Sequence, residues 1–516
     1  MRDPIHQESI IITASSYILS WRTAIVGVAT LSLSLGAISC ATTTTRLATN
    51  QLPTKGGDGQ GYRFENLAGG KDENKLFVCL AFSGGGTRAA ALAYGAMVAL
   101  RQTHIDWPRH GETLLDEVDC ISSVSGGSFP AAYYALYHDR IFEDFENRFL
   151  NRNIEGGLLL RVLAPWNWPW LASPYYSRID LAADMYDKGL FDHSSYDQLI
   201  SQARRPFVIL NATNIGSGNR FQFTQSQFDL IGSDLGPYPI ARAVAASSAF
   251  PFLLSPLTLE NYQPLQGFPV LTEYKTGLQD YYNNRSRYYW SQSQLAYVDE
   301  PKPYVHLMDG GLADNIGLRS ITNAYEQSNG FISRNLPGID RLVVIAVNAR
   351  TESKDKISDN HHTPHIFPSV AMATATIAMD NYSADTVDSV ARLATELKQA
   401  KKDSAKFGGK LKPHFPEPYV IELSFEAIPS EQVRKKFYQI GTNFALPSDQ
   451  VKALINMGCV LLKNDPEFRC MLEDIEQEAA GHGGGPSACD DPTKVSDPVA
   501  ARQIVCPDPG PWPGNS

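Results

Sequence analysis

Three stretches of this chain hold residues whose types and spacing could do chemistry. The first is Phe82-Ser83-Gly84-Gly85-Gly86-Thr87-Arg88. Three consecutive glycines let a backbone approach a ligand closely and aim N–H groups at one point. A helix starting directly after them would add positive partial charge. Such a turn suits an oxyanion or a phosphate. A Walker-type loop carries Lys after its last Gly, and Thr87 stands there instead. A dinucleotide fingerprint wants Gly at position 89, which is Ala. Nucleotide binding is therefore disfavoured. Taken alone, the run reads equally well as a flexible turn.

The second stretch is Ile121-Ser122-Ser123-Val124-Ser125-Gly126-Gly127-Ser128. An apolar run enters Ser125 and a helical pattern leaves it. A nucleophile elbow needs small residues two positions either side of its Ser, and Ser123 and Gly127 occupy those places. The pattern is S-x-S-x-G rather than G-x-S-x-G. The competing reading is a Ser/Gly loop with Ser128 as helix N-cap and Pro130 in the first turn. The third stretch is His306-Leu307-Met308-Asp309-Gly310-Gly311. A carboxylate at the end of an apolar run could act as base for a Ser hydroxyl if the two meet in space. An ordinary Asp-Gly turn competes with that role.

The elements that must position these turns are short and apolar. Leu76 to Phe82, Val118 to Val124, Phe207 to Ala212 and Leu342 to Val347 read as buried strands. Tyr304 to Met308 forms a further apolar run into Asp309. Ala89 to Leu100 and Phe129 to Tyr137 read as helices. Strands alternating with helices predict an α/β fold with a mostly parallel sheet covered on both faces. Ser448 to Met471 reads as a late amphipathic helix pair, interrupted at Asn464-Asp465-Pro466.

The order of the three turns is more specific than any one of them. A glycine turn, a Ser turn about 40 residues on and a distant Asp-Gly-Gly together resemble the patatin-like phospholipase family. Asn211-Ala212-Thr213-Asn214-Ile215 and the stretch from Ala243 to Pro251 agree with it. The resemblance spans roughly residues 75 to 350, with an outer limit near 430. It implies a three-layer α/β/α sandwich and a Ser–Asp dyad, with Ser125 as nucleophile and Asp309 as base. Gly84, Gly85 and Gly86 would form the oxyanion hole. Arg88 matches the basic residue after the glycine run in many members and would contact substrate. Neither a metal nor another cofactor is implied. The implied substrate is a phospholipid or related lipid ester. The alternative is a non-catalytic lipid- or partner-binding lipoprotein on the same fold. A triad would need a His after the acid. His361 and His362 lie in a polar loop-like stretch, His365 and His414 follow, and all are read as structural or surface. His306 precedes Asp309 by three residues on a strand and should face the other way.

Composition bounds the rest. The chain has 516 residues with 45 basic and 55 acidic side chains, a balance that argues against nucleic acid as partner. Its 39 Gly and 32 Pro show no period, which excludes a collagen-like protein. Uncharged residues 24–38 are short for a membrane span but suit a signal-peptide core. They lead through Ser39 to Cys40, an order resembling a bacterial lipobox, so a diacylated Cys40 is expected at the mature N-terminus. With Ala at position 41, the sorting rule of enteric bacteria favours the outer membrane, facing the periplasm. Residues 41–74 read as a tether, 75–478 as the hydrolase domain and 479–516 as a Gly/Pro-rich tail, disordered or pinned by disulfides. Of the remaining cysteines, Cys79 and Cys120 read as buried thiols, and Cys459, Cys470, Cys489 and Cys506 as candidates for disulfides. Trp166, Trp168 and Trp170 read as a lipid-contacting flap, with core packing as the competing reading. The lysines at 398, 401, 402, 406, 410 and 412 read as a solvated loop.

Overall fold

The structure, a computed structural model, describes residues 50–51, 59–67, 75–108, 112–173, 176–251, 253–262, 270–327, 330–351, 371–406, 414–481, 487–490 and 497–510. The signal segment, Cys40, His361, His362, His365, Lys410 and Lys412 lie outside these residues.

The strands of the main sheet are β1 (Leu76–Phe82), β2 (Val118–Val124), β3 (Phe207–Asn214), β4 (Asn219–Gln222), β5 (Leu257–Glu260), β6 (Tyr304–Asp309), β7 (Arg341–Asn348) and β8 (Glu417–Ser424). The principal helices are α1 (Gly86–Gln102), α2 (Ser128–Tyr137), α3 (Ile154–Leu163), α4 (Trp168–Leu171), α5 (Ile240–Ser247), α6 (Arg285–Asp299), α7 (Leu318–Glu326), α8 (Ala371–Lys406), α9 (Ser448–Asn464) and α10 (Pro466–Ala479). The sheet runs β8-β7-β1-β2-β3-β6-β5, with β4 paired to β3. The five strands from β8 to β3 are parallel, and β4, β5 and β6 add antiparallel pairs. The expected α/β sandwich with a mostly parallel sheet is what the chain forms.

Every residue of β1 and β2 is buried. That pattern requires helices on both sheet faces; β1 accordingly reads as a continuous apolar run, while β2 also buries Asp119, Ser122 and Ser123. On one side α1 and α9 meet backbone to backbone. A Cβ at Gly95 would overlap the Ile455 carbonyl, and one at Gly458 would overlap the Leu92 carbonyl. The late helix pair breaks where expected, because Asp465 caps α10 by accepting the Phe468 N–H and Pro466 takes its first position.

Three expectations are corrected. Cys79 and Cys120 are buried, but as a disulfide rather than as thiols. They are register partners on β1 and β2 with Cα atoms 4.6 Å apart, within disulfide reach. The tether reading fails for residues 62–67. Tyr62, Phe64 and Leu67 enter the core, the Tyr62 Oη accepts the Val208 N–H at 2.8 Å, and Phe64 stacks on Phe331. Their Gly- and Asn-rich surroundings hid three apolar anchors. The lysines from 398 to 406 lie on helix α8 rather than in a loop. Lys398 and Lys401 pair with Glu467 and Glu417 at 3.1 and 2.7 Å. The tail is the pinned alternative, through Cys459–Cys506 and Cys470–Cys489.

Candidate active site

Strand β3 brings the Ser and Asp turns together. Asn211 pairs with Val124 on one edge and Gln222 on the other. One residue on, Ala212 pairs with Phe221 and Asp309. Because β4 holds one edge at both positions, β2 and β6 share the other. β2 runs up that edge and ends at Val124, while β6 runs down it and ends at Asp309. Ser125 and Asp309, separated by 184 positions in sequence, therefore meet head to head.

The Ser125 Oγ donates to Asp309 Oδ2 at 2.8 Å, and the Gly311 N–H donates to Oδ1 at 2.9 Å. Asp309 is fully buried. Burial pushes its carboxyl up to about 6, and the Gly311 N–H and Ser125 hydroxyl pull partly back. The Asp309 N–H donates to the Ala249 carbonyl, and Thr213 Oγ1 donates to the Asp309 carbonyl at 2.8 Å. The carboxylate thus sits on a backbone fixed from two sides.

Ser125 has φ +50°, a left-handed conformation that costs a non-glycine residue about 1–3 kcal/mol. Its N–H donates to Ser247 Oγ at 3.0 Å, and Ser247 in turn donates to the Asn211 carbonyl at 2.6 Å. The Ser128 hydroxyl lies 2.9 Å from Ser247 Oγ, so it braces this node instead of capping a helix. A strained Ser held by buried partners has the form of a nucleophile elbow.

The glycine turn packs directly on the Ser turn. A Cβ at Gly126 would overlap the Gly86 carbonyl, which explains the residue type after Ser125. Gly86 has φ +61° and presses its Cα against the Asn443 carbonyl, which accepts the Thr87 N–H at 2.9 Å. A Cβ built on Gly84 would stand 3.3 Å from the Ser125 Cβ. The three glycines are therefore beside the nucleophile candidate, but they are not equivalent. The Gly84 N–H is already given to the Asn315 carbonyl at 2.9 Å, which removes it from the expected set of oxyanion donors.

Arg88 does not face a substrate. It is buried, and its guanidinium donates to the carbonyls of Ala349 and Ile440 and to Thr442 Oγ1. One of its terminal nitrogens lies 3.1 Å from where a Gly85 Cβ would be, so the side chain buttresses the glycine turn. His306 is exposed and bonds Thr258, on the face away from Asp309. His414 bonds the Ile339 carbonyl, at the opposite end of the parallel strands. Among the described residues, the one cluster with metal-like spacing is Glu467, Cys470 and Cys489, and its two sulfurs are joined as a disulfide. A cavity of about 560 Å³ lies against Phe64, Trp290 and Phe331, and no dyad residue lines it.

Trp166, Trp168 and Trp170 are exposed, together with Leu159, Leu160 and Leu163. The core-packing reading of this segment does not hold. Its helix α3 is tied back to the site, because the Ile154 N–H donates to the Phe444 carbonyl next to Asn443. Sequence reasoning missed Ser247, Asn315 and Asn443. Ser247 and Asn315 sit in stretches marked by the Ala- and Gly-rich patterns, whereas nothing local distinguishes Asn443.

The model of the family described as "Patatin-like phospholipase" matches residues 80–321. Among solved structures, human GIVD cytosolic phospholipase A2 is similar at 15% identity, over 53% of this chain and 46% of that one, with a TM-score of 0.32. The chain thus spans about half the length of that protein. The same human protein in complex with methyl gamma-linolenyl fluorophosphonate is similar at 11% identity, over 80% of this chain and 60% of that one, TM-score 0.38. VipD from Legionella pneumophila is similar at 14% identity, over 81% and 72%, TM-score 0.27. No curated protein matches the chain. The stretch from the end of β1 through α7, which holds the Ser, Asp and glycine turns, is a patatin-like phospholipase domain.

Proposed function

We propose that this chain is a serine acyl-ester hydrolase acting on phospholipid or related lipid esters through a Ser125–Asp309 dyad. The observation that carries the reading is the 2.8 Å hydrogen bond from Ser125 Oγ to a fully buried carboxylate, at a strained strand-to-helix turn. A carboxyl held near 6 is mostly ionised above neutral pH, yet more basic than an exposed Asp.

The Asp309 carboxylate takes the Ser125 proton as Oγ attacks the ester carbonyl. The tetrahedral oxyanion is held by the N–H groups of Gly85 and Gly86, each worth ~3 kcal/mol in the transition state. The alcohol or lysophospholipid leaves with the proton that Asp309 held. Water then attacks the acyl-enzyme, Asp309 takes its proton, and Ser125 regains that proton as the fatty acid leaves. Ser247 holds the strained turn at Ser125 through its backbone N–H.

The exposed Trp and Leu face of α3 and α4 supports contact with a lipid surface. Three disulfides support an oxidising compartment. With the signal-like segment and Cys40 they make a lipid-anchored envelope protein, facing the periplasm from the outer membrane, the consistent proposal. Release of fatty acid from phosphatidylcholine vesicles by the wild type, and its loss in Ser125→Ala, is expected. Vesicle binding without release by the wild type would favour the non-catalytic lipid-binding alternative.

A further inference from the structure

A cavity of about 390 Å³ begins at Ala313, four residues beyond Asp309. It lies between the β3–β4 turn, α6, α7 and α8. Three guanidinium groups line it, those of Arg220, Arg319 and Arg392, against one carboxylate, Asp385. Hydroxyl side chains on α6, α7 and α8 complete the wall. Apart from Ala313 and two aromatic rings, the lining has no apolar side chain, so it is no channel for an acyl tail.

Arg220 makes the cavity unusual. It is 6% exposed, and its guanidinium lies 4.6 Å from the Trp290 ring centre. Its ion-pair partner Asp314 stands 3.7 Å away and already accepts the N–H groups of Gly317 and Arg319. The Arg220 Nε is buried with no acceptor among the described residues. Burial pulls this cation down to about 10, Asp314 offsets only part of that, and Arg319 adds repulsion. Its Nη2 donates to the Arg319 carbonyl at 3.4 Å, so the Nε is the guanidinium nitrogen left over, and a bound anion would accept from it in a charge-assisted hydrogen bond. Glu326 bonds Ser286 on the wall, and burial raises its carboxyl above the usual range.

The position is informative as well. Met379 of α8 covers Gly311 of the Asp turn, and Asp385 follows six residues later, about 9 Å along the helix axis. No dyad residue lines the cavity, but Ala313 of the turn after Asp309 and the stretch of α8 that follows Met379 tie its wall to the Asp turn.

We propose that this cavity binds a phosphoryl oxyanion and serves as the head-group subsite for a lipid whose ester lies at Ser125. The head-group part rests on the hydrolase reading above; the anion part does not. Guanidinium forks and hydroxyl donors suit a tetrahedral oxyanion with several acceptors.

The test is calorimetric titration of the full chain with inorganic phosphate, in wild type, Arg392→Gln and Asp385→Asn. Binding should weaken roughly tenfold in Arg392→Gln and tighten in Asp385→Asn. Absence of phosphate binding, or equal affinity in all three proteins, overturns the proposal. The second arm compares kcat/KM on a phosphatidylcholine with that on p-nitrophenyl butyrate. The ratio should fall roughly tenfold in Arg392→Gln, and phosphate should compete with the phospholipid alone. Phosphate binding with an unaltered ratio would overturn the head-group assignment and leave a site for free phosphate. If the wild type hydrolyses neither ester, the hydrolase reading fails while the calorimetric series still decides the anion site.

Discussion

Replacing Asp309 by Asn should make the protein inactive and, at neutral pH, more stable. Asp309 is fully buried, and its pKa rises from 3.8 to about 6 on folding. A folded pKa above the unfolded one means that the protonated form is favoured by folding. The associated stability is fully present below about pH 4 and is lost as pH rises through about 6. A shift of about 2 units at 1.36 kcal/mol each gives ~3 kcal/mol carried as a penalty by the ionised wild type above pH 7. The amide of Asp309→Asn has no charge to bury. Its carbonyl oxygen still accepts the Gly311 N–H, and its NH₂ faces Ser125 Oγ, which can accept in place of donating. The assay is urea unfolding of wild type and variant between pH 4 and 8 with disulfides intact. Asp119 and Asp465 are also raised, to about 7 and about 6, so the wild-type curve contains several titrations. Subtracting the two curves isolates Asp309. The variant should gain on the wild type by ~3 kcal/mol across this range. Over the same range wild-type kcat/KM should climb about tenfold per pH unit below 6 and level off above it, because the base must be ionised. A variant no more stable at pH 8 than at pH 4, relative to wild type, would refute the reasoning.

Three further outcomes are expected. Gly126→Ala places a methyl into the Gly86 carbonyl and should lower kcat by about a hundredfold or more, with circular dichroism confirming a folded chain; wild-type activity would show that the two turns do not touch. In the chain produced without lipid at Cys40, replacing Trp166, Trp168 and Trp170 together by Ser should abolish sedimentation with phospholipid vesicles, with circular dichroism confirming a folded chain, since these rings are exposed; undiminished vesicle binding would remove the flap from the lipid surface. The Cys79→Ala, Cys120→Ala double variant opens a loop of 41 residues and should lose ~4 kcal/mol of unfolding free energy in denaturant titration; stability equal to wild type would argue that the staple is not formed.

The parts of the fold that the sequence showed are those set by local pattern. β1 and β2 occupy the predicted residues: β1 is an uninterrupted apolar run, and β2 is a short run of Val, Cys and Ile, interrupted by Asp119, Ser122 and Ser123, that ends at the Ser/Gly turn. The Ser and Asp turns were visible for the same reason, as small residues at the ends of such runs. Contacts between distant segments were not visible. Whether a glycine amide points at substrate or at Asn315 depends on a neighbour more than two hundred residues away. Arg88 looked like a substrate contact until the Ile440 and Thr442 acceptors closed around it. Ser247 reaches the backbone of Ser125 and Asn211 through its hydroxyl, a long-range partnership that spacing does not mark, and Asn443 acts through its own carbonyl, a backbone acceptor that leaves no residue signature. The register of β1 on β2 decided that Cys79 and Cys120 would bond, and sequence spacing alone does not encode register between parallel strands.

Covalent labelling tests the dyad most directly. The wild-type chain is treated with an alkyl fluorophosphonate above pH 7, digested, and the modified peptide identified by mass. One adduct on Ser125 is expected, absent from Ser125→Ala and strongly slowed in Asp309→Asn. An adduct on another residue, or labelling that survives in Ser125→Ala, would contradict the assignment of nucleophile and base.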